Sequence, residues 1–156
     1  MDALPAGQPD PSSPENHPAS ADDDVANTAG ENRPGGNAEV GLSSLAIVLA
    51  IDEQLTHVWM VRTFLKHADE SEDDEDLREV VRDLYDFILA VGPTDAVEDP
   101  AVYLKMAKKK LRRLRGATEL YEAIQPEVSG HTNFVMAARS LRAAVDRIAG
   151  LVTGGR

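Results

Sequence analysis

The chain contains no cysteine, and aromatic residues make up only 4% of its 156 positions. Without thiols there is no disulfide framework, no thiolate zinc or iron–sulfur site and no cysteine nucleophile. Basic residues are also scarce: 16 stand against 27 acidic ones, which gives a formal net charge of −11. Such a negative field repels phosphates, so the chain as a whole is not expected to clamp nucleic acid. The length suits one domain of ordinary size.

Long apolar runs and catalytic signatures are missing as well. The longest nearly unbroken apolar run is Leu45–Ile51, whereas a membrane-spanning helix needs about 20 residues. We therefore expect no transmembrane segment and a cytoplasmic location. No glycine-rich phosphate loop or Gly-x-Ser-x-Gly elbow occurs, and the carboxylates cluster in charged runs. The sequence predicts a protein that is not an enzyme and needs no cofactor.

Residues 1–40 differ from the rest in composition. They carry eight acidic residues, one basic residue and six of the nine prolines, but no aromatic residue. A segment with so few apolar side chains cannot bury enough surface to offset the entropy lost on ordering. We predict that residues 1–40 form a disordered acidic tail, which serves as a solubility tail or as a tether.

Four later stretches repeat apolar residues at alternating spacings of three and four, which places them along one side of a helix. No comparable alternation with a period of two, typical of strands, is found. The fold class is therefore predicted to be all-α. The helices are expected at about residues 44–68, 74–91, 100–125 and 132–151.

Capping residues mark where these helices begin. Ser43 or Ser44 is placed to cap the first helix and Asp73 or Asp74 the second, because a side-chain oxygen accepts from the free amides of the first turn. Asp99-Pro100 is a strong start for the third helix, since proline needs no hydrogen-bond acceptor there.

Turn residues mark the other ends and the connections. Gly92-Pro93 is expected to end the second helix and Pro126 the third, while Gly116 is expected to bend or break the third. Short connections favour antiparallel neighbours. Residues 42–153 are therefore predicted to form an up-down-up-down four-helix bundle with coiled-coil-like packing. The alternative is a three-helix core with a docked or partner-bound fourth helix.

The start of the first helix is apolar on every side, although a bundle helix needs only one buried stripe. This pattern predicts an interface with a protein partner or a second copy of the chain. The alternative is central burial within one chain. The interface is predicted to contain Leu45, Ile47, Val48 and Ile51.

Arg62 and a glutamate–histidine pair are further unusual features of the first helix. Arg62 falls on the buried stripe, where it must pair with a carboxylate or an anionic ligand, or else lie at the edge while Trp59 and Leu65 carry the core. Glu53 and His57 share a helix face and are weak candidates for a metal site. Carboxylate-bridged di-iron bundles need Glu-x-x-His on two helices, whereas this pair has the spacing Glu-x-x-x-His.

The third helix carries seven basic residues within residues 105–115. Lys110 is expected to face the acidic second helix near Asp76 and Asp83. A separate basic ridge is predicted to remain on the outside, where it would meet an acidic partner, an anionic membrane surface, RNA or the tail. No aromatic stacking platform accompanies it, which disfavours nucleic acid. The ridge consists of Lys105, Lys108, Arg112 and Arg115.

Taken together, these patterns predict a non-catalytic module for protein–protein interaction or scaffolding. The apolar start of the first helix and the basic ridge are its expected contact surfaces. One alternative is an anion- or nucleic-acid-binding protein that uses the ridge. Another is a metal-binding bundle that uses Glu53 and His57.

Overall fold

A computed structural model describes residues 42–154. Of these residues 88% are helical and none lies in a strand, which confirms the all-α class. The predicted tail, residues 1–40, lies outside the described residues. The elements are α1 (Ser44–His67), α2 (Glu70–Asp73), α3 (Glu75–Val91), a 3-10 turn (Thr94–Ala96), α4 (Pro100–Val128) and α5 (Thr132–Gly154).

Side-chain caps begin three of the helices. The Ser43 hydroxyl accepts from the amide of Ala46 at the start of α1. Asp74 accepts from the amide of Leu77 at 2.8 Å and starts α3. Asp99 precedes Pro100 and caps α4. Each cap satisfies a first-turn amide that has no partner within its own helix.

The short helix α2 has no counterpart in the sequence prediction. It forms one turn after the end of α1, and Asp74 separates it from α3. The buried hydroxyl of Ser71 donates to the carbonyl of Leu65 in the last turn of α1. The same carbonyl also accepts from the amide of Ala68 at 3.3 Å, and the added bond from Ser71 holds α2 against the end of α1.

Helix α4 runs without interruption through both residues that were expected to stop it. Gly116 is helical, and the helix continues past Pro126 to Val128. A proline removes its own amide donor and crowds the carbonyl four residues earlier, but in the last turn few further helical bonds depend on it. The amide of Ser129 still donates to the carbonyl of Gln125 at 3.0 Å, and the side-chain amide of Gln125 donates to the carbonyl of Ser129 at 2.8 Å.

The core lies between the four long helices. Helix α3 packs on α1 and α4, and α5 packs on the same two helices from another side. In α4 the buried stripe begins at Tyr103, which is 4% exposed, while the predicted Leu104 is only half-buried. The largest fully buried side chains include Ile51, Leu65, Leu77, Leu84, Phe87, Leu114, Tyr121, Leu141 and Ile148. Each contributes roughly 1.5–3 kcal/mol through burial.

Polar contacts connect α4 to its two neighbours. The buried hydroxyl of Tyr121 donates to the carbonyl of Phe134 at 2.9 Å, and Arg142 pairs with Glu122. Towards α3, the guanidinium of Arg113 contacts Asp83 at 2.8 Å and Asp86 at 3.2 Å. The expected partner on this side was Lys110, which makes no ion pair within residues 42–154. Arg113 lies three residues after Lys110 and therefore on the same flank of α4, where it is the residue that reaches Asp83 and Asp86.

Candidate functional site

Helix α1 presents apolar side chains on two faces. Ile47, Val48 and Ile51 are 7%, 0% and 0% exposed and belong to the core of the chain itself. Leu45 and Leu49, in contrast, are 54% and 55% exposed. The four residues of the predicted apolar interface therefore do not share one surface, and only Leu45 remains available at the outside.

An apolar groove lies between α1 and α3, further along α1 than the sequence indicated. Its volume is about 500 Å³. Three large side chains in its lining stay open to solvent: Trp59 is 45% exposed, Met60 67% and Leu89 60%. We call this feature the α1/α3 groove. It is lined by Asp52, Leu55, Thr56, Trp59, Met60, Ile88, Leu89, Gly92 and Pro93.

One end of the α1/α3 groove is closed by the turn that follows α3. Gly92 has φ 74° and ψ 176°, a backbone conformation that is essentially confined to glycine. The turn brings Pro93 into the groove wall and places Thr94 against α1, where its hydroxyl donates to the carboxylate of Asp52. A hydrogen bond to a charged acceptor is stronger than a neutral one, so it holds the turn in place.

Tyr103, a buried residue of α4, lies next to the turn that follows α3. Burial and the nearby charge of Asp52 raise its pKa to about 12. Its hydroxyl lies beside Thr94, yet it makes no hydrogen bond with any residue in the described part of the chain. The phenol of Tyr103 is therefore neutral at ordinary pH, and it does not line the α1/α3 groove.

The opposite end of the groove is bounded by Arg62. Its guanidinium lies 5.5 Å from the ring centre of Trp59 and 4.5 Å from that of Tyr85, which is cation–π geometry. Arg62 thus lies at the edge of the core and forms no salt bridge with the described carboxylates. Trp59 does not carry the core, because Val58, Val61 and Leu65 fill those positions. Instead, Arg62 orients the exposed Trp59 ring.

The basic ridge lies on α4, away from the groove. Its four side chains are exposed and follow spacings of three and four, which places them along one stripe. None of them forms an ion pair with a carboxylate of residues 42–154. Lys108, Arg112 and Arg115 border a shallow cleft of about 490 Å³ that Thr153 of α5 also lines.

Glu53 and His57 lie on the exposed side of α1. Within the described residues no group of three potential metal ligands comes together. A structural zinc site needs four ligands and a catalytic one usually takes three from the protein. The pair alone supplies two, so no metal function is proposed.

The α1/α3 groove was not predicted from the sequence, although the sequence contains the pattern of one of its two walls. Leu45, Leu49, Thr56 and Met60 form a second stripe on α1 beside the core stripe. That stripe indicates a second apolar face on α1, but it does not indicate which other element of the fold lies beside this face. The other wall comes from Leu89 and Pro93, and only the packing of α3 and its turn against α1 brings them there.

These features define an all-α protein with an apolar groove on one side and a basic ridge on another. No family model matches the chain, and no curated protein or solved structure is similar to it. By length and composition alone, α1 could also cross a membrane, and 33% of its most apolar window is buried. The core helix of a globular protein meets the same criterion, so this finding assigns no location.

Proposed function

We propose that the protein is a non-catalytic interaction module that binds a segment of another protein in the α1/α3 groove. One observation carries the proposal: Trp59, Met60 and Leu89 stay exposed side by side around a concave apolar surface. Apolar patches of this kind on a protein surface mark binding sites. Aromatic and methionine side chains are also enriched where proteins meet.

The proposal includes a cytoplasmic, up-down-up-down four-helix bundle as the scaffold of the groove. Contacts between α1 and the α3 region support the antiparallel order of these two helices. Asp52, early in α1, meets Thr94 just after α3, and Arg62, later in α1, meets Tyr85 within α3. Two rigid helices hold the groove walls, which lowers the entropic cost of binding.

A substitution in the groove tests the function. Leu89→Lys places a charge on the apolar wall at an exposed position, so it should spare the fold and weaken partner binding by at least about tenfold. Met136→Lys is the matched control, because Met136 is 52% exposed and does not line the groove. Immobilised wild-type protein and both variants are compared for the proteins that they retain from cells that express the chain.

The expected result is a protein retained by wild type and by Met136→Lys but lost with Leu89→Lys. If all three retain the same proteins in the same amounts, the groove is not the docking surface.

Anion binding by the basic ridge is a second candidate function. It is supported by the four exposed cations, which outnumber the one carboxylate, Glu119, that lines the same cleft and which form no ion pair with a described carboxylate. Elution from heparin tests it, because affinity of this kind falls steeply with salt. The double variant Lys108→Glu/Arg112→Glu should elute at clearly lower salt than the wild type. Arg139→Glu/Arg147→Glu, on the exposed side of α5, changes the net charge equally and should elute close to it. Equal shifts for both double variants would show that only net charge matters.

A further inference from the structure

We infer that the occupant of the α1/α3 groove is an amphipathic helix with aliphatic anchors and basic residues beside them. This inference rests on the proposed docking function and specifies the chemistry of the partner. Two properties of the groove lead to it: its shape and the sign of the charge at its rim.

The shape fits one face of a helix. The α1 wall runs from Asp52 to Met60, which spans about 12 Å, or about two turns, at 1.5 Å per residue. Its lining is almost entirely apolar. The only ionisable side chain in it, that of Asp52, already accepts a hydrogen bond from Thr94. Few backbone groups are offered to an extended peptide, which needs main-chain partners. A helix satisfies its own backbone and fills such a groove with residues i, i+4 and i+7.

The charge at the rim of the groove determines which charge the partner should carry. Asp52 lies in the groove wall, Glu53 is exposed next to it on α1, and Asp95 is exposed on the turn that closes the same end. The lining contains no cation, and Arg62, at the far end, lies against the rings of Trp59 and Tyr85. Lysine or arginine at the flank of a bound helix would meet these carboxylates. Glutamate or aspartate would be repelled by them.

Charge also argues against a second copy of the chain as the occupant. An isologous dimer brings the same patch of both copies together, and each chain carries a formal net charge of −11. Two surfaces of the same charge repel each other across an interface, and the lining of the groove contains no cation to offset this repulsion.

The chain carries its own probe for this test. Trp59 is the single tryptophan of the sequence and lines the groove, so its fluorescence reports occupancy directly. Two synthetic peptides of about 15 residues are used, both with leucines at i, i+4 and i+7 of one face. One carries lysines at the flanking positions and the other glutamates. The lysine peptide should bind at least about tenfold more tightly at low salt, and the ratio should shrink as salt screens the charges.

Two variants separate charge from shape. Glu53→Gln/Asp95→Asn should bring the two peptide affinities to within about threefold of each other, because it removes exposed rim carboxylates. Leu89→Lys should weaken the binding of both peptides, while Met136→Lys should leave both unchanged.

Each other outcome counts against the inference. Equal affinity of the wild type for both peptides would overturn the basic partner and leave the docking function intact. No change in Trp59 fluorescence with either peptide would overturn the helical occupant. Self-association of the chain that Leu89→Lys abolishes would assign the groove to a second copy. The docking function itself fails if Leu89→Lys retains the same proteins as the wild type, or if the groove proves to bind a second copy of the chain.

Discussion

Replacing Ile51 with alanine is expected to lower the free energy of unfolding by about 3 kcal/mol, because the change opens a cavity in a packed core. Replacing Leu49, two positions earlier in the same apolar run, should change it by less than about 1 kcal/mol. Ile51 is fully buried, whereas Leu49 is 55% exposed. Urea unfolding followed by circular dichroism measures both values.

The pair of variants shows which part of the apolar run belongs to the fold. Both substitutions introduce alanine into the same helix, so differences in helix propensity are small compared with the expected gap. An equal loss of stability in the two variants would mean that Leu49 is covered in solution. The apolar run would then be buried on both sides, as a large interface requires.

Alkaline pH is expected to destabilise the protein more than its surface charges alone would predict. Burial raises the pKa of both Tyr103 and Tyr121 above the ordinary value of 10. Both phenols stay protonated in the folded chain after they would ionise in the unfolded one. Their contribution is therefore complete below about pH 10 and is lost as the pH rises further. Between about pH 9 and 11 the two together should remove about 2–3 kcal/mol, at 1.36 kcal/mol per pKa unit.

The tyrosine contribution is isolated by comparing the wild type with Tyr103→Phe/Tyr121→Phe. Every other side chain is the same in both proteins, so its contribution cancels in the comparison. The double variant should be less stable at pH 8 by about 1 kcal/mol, since it loses the hydrogen bond to Phe134. Its stability should then fall much less steeply towards pH 11. Parallel curves for the two proteins in urea titrations at each pH would contradict the assignment.

Sequence periodicity predicted the helices well because each long helix buries one stripe. The caps at Ser43, Asp74 and Asp99 also followed from local rules, since an N-cap depends on only a few neighbouring residues. The errors arose where several positions competed. Gly116 and Pro126 were expected to disrupt α4. The free energy that one glycine or one proline in the last turn costs the helix is smaller than the free energy that packing of the surrounding turns contributes.

The groove was beyond sequence reasoning for a different reason. Its walls come from α1, α3 and the turn after α3, and no local pattern states which face of α3 meets which face of α1. Trp59 was even considered for the core, because a drift of the buried stripe by one position would place Arg62 at the edge and Trp59 inside. Trp59 is exposed because Val58 and Val61 occupy the core positions on this part of α1, and Arg62 covers one side of the Trp59 ring.

The two apolar faces of α1 have a consequence for how this helix finds its orientation about its own axis. A helix with one apolar face has a single rotation about its axis that buries this face. Helix α1 has two apolar faces, so more than one rotation would bury apolar surface. Polar contacts select among these rotations: Asp52 must reach Thr94, and Arg62 must lie over Tyr85. Such contacts add little net stability and act mainly by penalising the wrong arrangements. They keep Trp59 of α1 opposite Leu89 of α3 across the α1/α3 groove. Without them, α1 could rotate about its axis and carry Trp59 out of the groove wall.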